Sequence, residues 1–380
     1  MRRFLTPEIV MINPLRAALL LATLTGSTPL LAQTYVYVSE AGDGTIARYS
    51  LDQHGALHLL GHTPADGKVM PLALSTDKTH LYAAIRSKPL QLASWVIDRH
   101  SGDLTQKQQV PAAASYPWIV AEPQGRFLLA ASYDGNVVDV YRLTAGGKLN
   151  APPVSRYATG PAAHSAIADP AGKTVYVGNL GTDRVLQLML SDSGALAALG
   201  SGYVATAKNN GPRHSVMSAD GRFLYNIGEM GGIITQFRRE ANGALVKVAE
   251  FPSAVAASWH LAEGRERPPG YSDPTPRIWA ADIHLTPDGH FLYVSERTSS
   301  TLSGYRVDAE SGALTLAGSW PVEKQPRGFA ITPDGRGLVV SGEKSAVIGS
   351  YRIDPQSGAL TRTGEAPVGS DANWVTIVHY

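Results

Sequence analysis

The sequence predicts an all-β fold, a seven-bladed β-propeller with one blade closed by N- and C-terminal strands. Three observations predict it: a Gly-x-Leu signature recurs seven times, a Pro-Asp-Gly-like turn interleaves with it, and the two chain ends read as complementary parts of one repeat.

The first signature occurs at Gly55, Gly102, Gly147, Gly194, Gly243, Gly312 and Gly358, each followed two residues later by Leu. The steps are 47, 45, 47, 49, 69 and 46 residues. The long step is an ordinary one plus about 22 residues, and the surplus falls at 254–277, where Pro268, Pro269, Gly270, Pro274 and Pro276 mark a long inserted loop.

The second signature occurs six times, ending at Lys78, Gly125, Gly172, Gly221, Gly289 and Gly335. Pro presets φ and Gly accepts a positive one, so such turns join short strands. Several are followed by a near-identical strand opening: His80-Leu-Tyr82, Phe223-Leu-Tyr225 and Phe291-Leu-Tyr293.

Each unit reads as four strands. In the unit from Trp279, they are expected at 280–285, 291–295, 302–307 and from Ala313 onward. No convincing amphipathic helix follows residue 32. A repeat of about 40–50 residues with four strands is the propeller pattern. Seven Gly-x-Leu copies against six turns point to one split blade. Ala372–Ile377 resembles a first strand such as Arg327–Thr332, and Tyr35–Glu40 resembles the second strand Phe291–Glu296. Closure of this kind leaves no free sheet edge. The rival for the same pattern is an open β-solenoid.

Composition narrows function. The chain has 380 residues, 33 Lys+Arg, 32 Asp+Glu and no Cys. So even a balance does not support a nucleic-acid partner. Without Cys there is no disulfide, thiolate metal site or Cys nucleophile. Arg2, Arg3 and Arg16 precede the apolar run Ala17–Leu24, then small residues and a candidate cut after Ala32. That order is a secretory signal at 1–32, too short to span a bilayer. The mature domain would be 33–380, exported to the periplasm or secreted, with no membrane association after cleavage. Met11 offers a tidier start than Met1.

Aligning the units on the turn residue gives a column at the start of each first strand, where the central channel opens. It reads Met70-Pro71, Pro117-Trp118, His164-Ser165, Arg213-His214, Ala281-Asp282, Arg327-Gly328 and, in the split blade, Ala372-Asn373. The ends of the second strands give another: Glu40, Arg86, Tyr133, Asn179, Glu229, Glu296-Arg297 and Glu343-Lys344. Together they pool Arg, His and Glu in one funnel, which suits a small anionic or polyhydroxylated ligand.

Plainer readings stand beside these. Glu40, Glu296 and Glu343 would pair with Arg or cap a loop. Asp282 and His284 share one strand face and read as a hydrogen-bonded pair sooner than a metal pair. Arg213 and His214 are adjacent, so a regular strand aims at most one into the channel. Trp118, Trp279 and Trp374 read as inter-blade packing. His54, His58, His62, His100 and His290 read as surface. There is no nucleophile elbow, Walker loop, HExxH or EF-hand loop.

With these stretches in place, the chain from about Tyr35 onward resembles the seven-bladed propeller lactonases of the bacterial 6-phosphogluconolactonase type, related to fungal carboxy-muconate lactonising enzymes. The stretches that carry the resemblance are Trp279–Gly289, Ser295–Thr298, Gln325–Phe329, Gly211–His214 and His164-Ser165. The resemblance implies hydrolysis of a sugar δ-lactone, either 6-phosphogluconolactone or unphosphorylated gluconolactone, to the aldonate without a cofactor or metal. It implies His164, Arg213, Glu229 and Arg297 as catalytic residues, with Asp282, His284 and Arg327 as substrate-binding residues. Glu229 or His164 would be the general base, and Arg213 and Arg297 would stabilise the oxyanion. An export signal sits uneasily with a phosphorylated cytoplasmic substrate. Two other readings are a non-enzymatic binding propeller of the cell envelope, presenting the 254–277 loop, and a lactone-forming cycloisomerase.

Overall fold

The computed structural model describes residues 33–267 and 271–380; the signal expected at 1–32 lies outside the described residues. They form seven antiparallel four-stranded sheets. The first is β28 (Ala372–His379), β1 (Thr34–Glu40), β2 (Thr45–Leu51) and β3 (Leu57–Pro64). It is the split blade, with β28 paired to β1 from Thr34↔His379 to Glu40↔Ala372. The other six blades are uninterrupted and open with β4 (Val69–Leu74), β8 (Trp118–Ala121), β12 (Ala163–Ala168), β16 (Pro212–Met217), β20 (Ala280–Leu285) and β24 (Pro326–Ile331). Each of these first strands contacts the first strands of both neighbouring blades, and β28 closes the circle between β24 and β4. The ring is therefore shut, and the solenoid alternative is excluded.

In the blade of β20 the strands are Ala280–Leu285, Phe291–Glu296, Thr301–Val307 and Leu314–Pro321, within one residue of the expected bounds. The insertion runs between β19 (Leu245–Phe251) and β20 and holds one isolated bridge, Ala262 with Arg277. The described residues contain a single 3₁₀ turn, Leu180–Thr182, and no α-helix.

The two repeated signatures are the two halves of one inter-blade hydrogen bond. The second-strand Tyr donates its hydroxyl to the carbonyl of the Gly that opens Gly-x-Leu in the next blade: Tyr37 to Gly102, Tyr82 to Gly147, Tyr176 to Gly243, Tyr225 to Gly312 and Tyr293 to Gly358, at 2.6–2.8 Å. Where the second strand lacks Tyr, Ser155 and Ser350 donate to Gly194 and Gly55. The glycine is needed for two reasons. Gly358, for example, has φ of 75°, and a Cβ there would lie 2.5 Å from the Phe291 ring. The core fills the spaces between blades: Val36, Val38, Val339, Ile348 and Val375 form one such cluster, and Tyr225, Ile283 and Leu292 belong to another. The outer strand of each blade remains a sheet edge, contrary to the expectation that closure leaves none, and forms a solvated rim, as in β3, which opens on buried Leu57 and then exposed His58, Leu59 and Leu60.

Candidate active site

The channel-mouth column coincides with β-bulges. In β12, Ala163 pairs with Asn179 and Ser165 with Gly178, which leaves His164 as the extra residue. Arg213 is the extra residue in β16, Arg327 in β24 and Asn373 in β28. Two residues before each stands a left-handed residue: Ala162, Gly211, Gln325 and Asp371, with φ between 53° and 63°. Three of the four are not glycine, so the backbone holds a conformation L side chains rarely adopt. A bulge re-aims a side chain. Here it brings His164, Arg213 and Arg327, from three blades, within electrostatic reach of one another, while Asn373 bonds to Ser39 and the Asp371 carbonyl.

This geometry corrects the strict alternation expected for Arg213 and His214. Both are buried and both face the centre, with Arg213 Nη1 donating to His214 Nε2 at 3.1 Å. His214 Nδ1 lies 2.8 Å from Asp282 Oδ1, on the first strand of the next blade. An ionised Asp282 can only accept, so Nδ1 carries the proton and Nε2 is left to accept from Arg213. Burial, and then the nearby Arg213, drives the His214 imidazole down to about 3, so it is neutral. Asp282 takes a second bond from His284 Nε2 at 3.1 Å and one from the Phe329 amide. Burial works against its charge, but these imidazole partners outweigh it and hold its carboxyl well below the usual range. The pair at Asp282 and His284 is thus hydrogen-bonded, through a carboxylate shared with His214.

Glu229 ends β17 (Phe223–Gly228) by one residue and binds two guanidiniums. Its Oε2 accepts from Arg213 Nε at 2.7 Å and from Arg297 Nη2 at 3.0 Å. Its Oε1 accepts from Trp279 Nε1 at 3.3 Å. Burial opposes ionisation, but Arg297 and Arg213 outweigh it and hold the carboxyl below its ordinary value. That makes Glu229 an anchor for two cations and a poor base near neutrality. Arg297 also donates to the Trp279 and Ala280 carbonyls.

Arg213 is fully buried, and its pKa is lowered to about 9 by burial and then by Arg297. Its Nη2 is buried without a hydrogen-bond partner among the described residues, as is Nδ1 of His164. Unmade bonds of this kind are costly in a folded protein. Two together at a channel mouth mark a place for a ligand. The His164 ring lies 5.1 Å from that of His214 and edge-on to Tyr133 at 6.2 Å. Burial, then Arg213, His214, Arg327 and Arg297, push its imidazole well below the ordinary value, so it is neutral and free to accept a proton.

Arg327 sits beside this network, 3.5 Å from Glu343 and from the Asn373 carbonyl. All seven residues singled out from the sequence therefore reach one end of the channel. Others had not been assigned roles. Arg86, lowered to about 10 by burial and by Arg327, pairs with Asp134 at 3.6 Å. Trp279 is no simple packing residue: its ring lies 3.8 Å from the Arg297 guanidinium and 3.9 Å from that of Arg267, which the insertion supplies. Trp118 and Trp374 pack against core clusters and also edge-on or tilted to His214. Arg267 could not be found by column alignment, because the insertion has no counterpart in other blades. Glu40 and Glu296 cap loops, Glu296 through the amides of Trp279 and Ser299. The five histidines expected at the surface are exposed.

Residues 30–377 match the family model described as "Lactonase, 7-bladed beta-propeller". The chain is 34% identical over 296 residues to a 6-phosphogluconolactonase of Serratia proteamaculans, covering 78% of this chain and 84% of that one. It is 33% identical over 300 residues to the 6-phosphogluconolactonase of Pectobacterium carotovorum, covering 79% and 85%. Among solved structures it resembles the periplasmic gluconolactonase PpgL of Pseudomonas aeruginosa, with a TM-score of 0.77, 26% identity and coverage of 91% and 99%.

Proposed function

Since the chain belongs to the seven-bladed β-propeller lactonase family, we propose that it hydrolyses a sugar δ-lactone to the open-chain aldonate, with His164 as general base and Arg213 as oxyanion donor. The observation that carries these roles is the pair of buried, unpartnered groups, Arg213 Nη2 and His164 Nδ1, in one cluster. In the first step a water attacks the lactone carbonyl carbon while His164 takes one of its protons. The carbonyl oxygen becomes an oxyanion facing Arg213, whose guanidinium is already fixed by Glu229, His214 and the Ala281 carbonyl. Collapse of the tetrahedral intermediate breaks the bond from that carbon to the ring oxygen. The imidazolium, destabilised by surrounding guanidiniums, returns its proton to the departing oxygen. Atoms and charge balance as lactone plus water giving the hydroxy acid.

Glu229 holds Arg213 and Arg297 and is not the base in this scheme. Three carboxylates answer four guanidiniums at this mouth: Glu229 answers both Arg213 and Arg297, Glu343 answers Arg327, and Asp134 answers Arg86. The export expected from the 1–32 segment favours an unphosphorylated lactone, since aldonolactones form by sugar oxidation outside the cytoplasm. The test is acid release by the purified mature domain with glucono-δ-lactone and 6-phosphogluconolactone, after fractionation has located the protein. Acceleration of the first by more than tenfold over the second is the expected result; no acceleration of either removes the reading.

A further inference from the structure

The insertion builds a second concavity on the face that carries the site. A cleft of about 440 Å³ opens between the 3₁₀ turn at Leu180–Thr182, Met230 and the inserted residues Glu263–Glu266. Its floor continues the site's backbone: Met230 follows Glu229, and the Gly264 amide docks on the Met230 carbonyl at 2.8 Å. Gly264 is required there, because a Cβ would lie 2.7 Å from the Met230 Cα. The wall then runs from Glu266 into Arg267, whose guanidinium covers Trp279. Trp279 in turn bonds to Glu229. The cleft therefore adjoins the lactone site, through Met230 next to Glu229 and through Arg267 on Trp279.

The lining is mostly polar and its chemistry is specific. Asp183 is spent on the amides of Asn209 and Gly211, and Arg277 on Asp273. Among the described residues, Glu263, Arg265 and Glu266 have no ion pair, which leaves two free carboxylates against one free guanidinium. An anionic substituent would meet net repulsion in such a cleft. A hydroxyl-rich neutral group would find acceptors in Glu263 and Glu266 and donors in Arg265. The volume lies within the range of small-ligand sites. From these observations we propose that the cleft is a glycosyl subsite, and that the enzyme takes lactones of oxidised disaccharides, aldobiono-δ-lactones, with the second sugar ring seated against Glu263 and Glu266. This rests on the lactonase reading above and extends it to a substrate class.

The experiment has two arms on the mature protein. In the first, kcat/KM is measured for glucono-δ-lactone and lactobiono-δ-lactone, in the wild type and in Glu263→Ala/Glu266→Ala. The expected result is a disaccharide lactone used at least as well as the monosaccharide one, with a tenfold or greater loss on the disaccharide alone in the double variant. Efficient use of gluconolactone with a hundredfold poorer use of the disaccharide overturns the subsite and leaves the lactonase reading intact. In the second arm, binding of the stable products lactobionate and gluconate is followed by calorimetry, which needs no turnover. Tighter binding of lactobionate, weakened tenfold by the double variant, supports the subsite even if neither lactone is hydrolysed. Equal binding of both products, unchanged in the variant, overturns it.

Discussion

His214 and Asp282 meet at 2.8 Å across the boundary between two blades, 68 residues apart in the chain. The bond sets the tautomer of His214 and so the acceptor that orients Arg213. Asp282→Asn has one acceptor oxygen for two sets of donors: with it on the Phe329 amide, an N–H faces Nδ1 and the ring proton moves to Nε2, against the Arg213 N–H; with it on Nδ1, an N–H faces the Phe329 amide instead. The expected outcome is a fall in kcat of about 10²-fold, the scale of a displaced oxyanion donor, with KM changed far less. Steady-state kinetics on gluconolactone checks this, and a wild-type kcat in the variant would remove the positioning role.

His164 is held well below its ordinary pKa of 6.5 by burial and by four neighbouring groups. As the base it must be neutral, and it stays neutral until pH falls through that lowered value. The acid limb of the kcat/KM profile should therefore lie below pH 6.5. His164→Gln should abolish the limb along with most of the rate. A limb at or above 6.5, or one that persists in His164→Gln, would assign the base elsewhere.

Stability should fall with acid in the same range. His164 and His214 both have folded-state values below the unfolded 6.5, the latter about 3. Below pH 6.5 the unfolded chain binds more protons than the folded one, so stability drops as pH drops. Each imidazole contributes a slope of up to about 1.4 kcal/mol per pH unit. Asp282 is lowered too, so its contribution is lost only below the unfolded carboxylate value of about 3.9. Between pH 7.5 and 4.5 Glu323, raised to about 7 by burial, contributes a slope of opposite sign, so the His164 share is read from the difference between wild type and His164→Gln in urea unfolding, and the variant should flatten the slope by up to one proton.

Gly178 lies on the second strand of its blade, and a Cβ there would stand 2.4 Å from the Arg213 carbonyl and 3.0 Å from Ser165 Oγ. Ser165 itself donates to that carbonyl at 2.5 Å. Gly178→Ala should therefore push the Arg213 bulge outward without touching any site side chain. The expected cost is about 1–3 kcal/mol of stability, typical of overpacking, with a loss of activity larger than the unfolded fraction explains. Circular dichroism melts run beside kinetics separate the two effects.

The fold could be read from the chain because a repeat states its rule seven times. Gly102, Gly147, Gly243, Gly312 and Gly358 recur at the spacing of the tyrosines that bond to them, and one local rule builds each blade boundary. The split blade was legible for the same reason, since Ala372–Ile377 and Tyr35–Glu40 each match a strand seen elsewhere. The columns placed His164, Arg213, Glu229 and Arg297 at one mouth because strand starts and strand ends are local features.

What the sequence could not carry was the side-chain network inside that mouth. Period-two alternation assigns neighbouring residues to opposite faces, and the bulge at Arg213 breaks that rule through a backbone conformation fixed by adjoining blades. Only the closed ring decided that Arg213 and His214 both turn inward, that one oxygen of Glu229 answers two guanidiniums, and that an insertion lays Arg267 on Trp279. Those contacts join residues from different blades; Arg297 and Arg213 keep Glu229 charged against burial, and burial keeps His164 neutral; neither the contacts nor the burial exists until the seventh sheet closes.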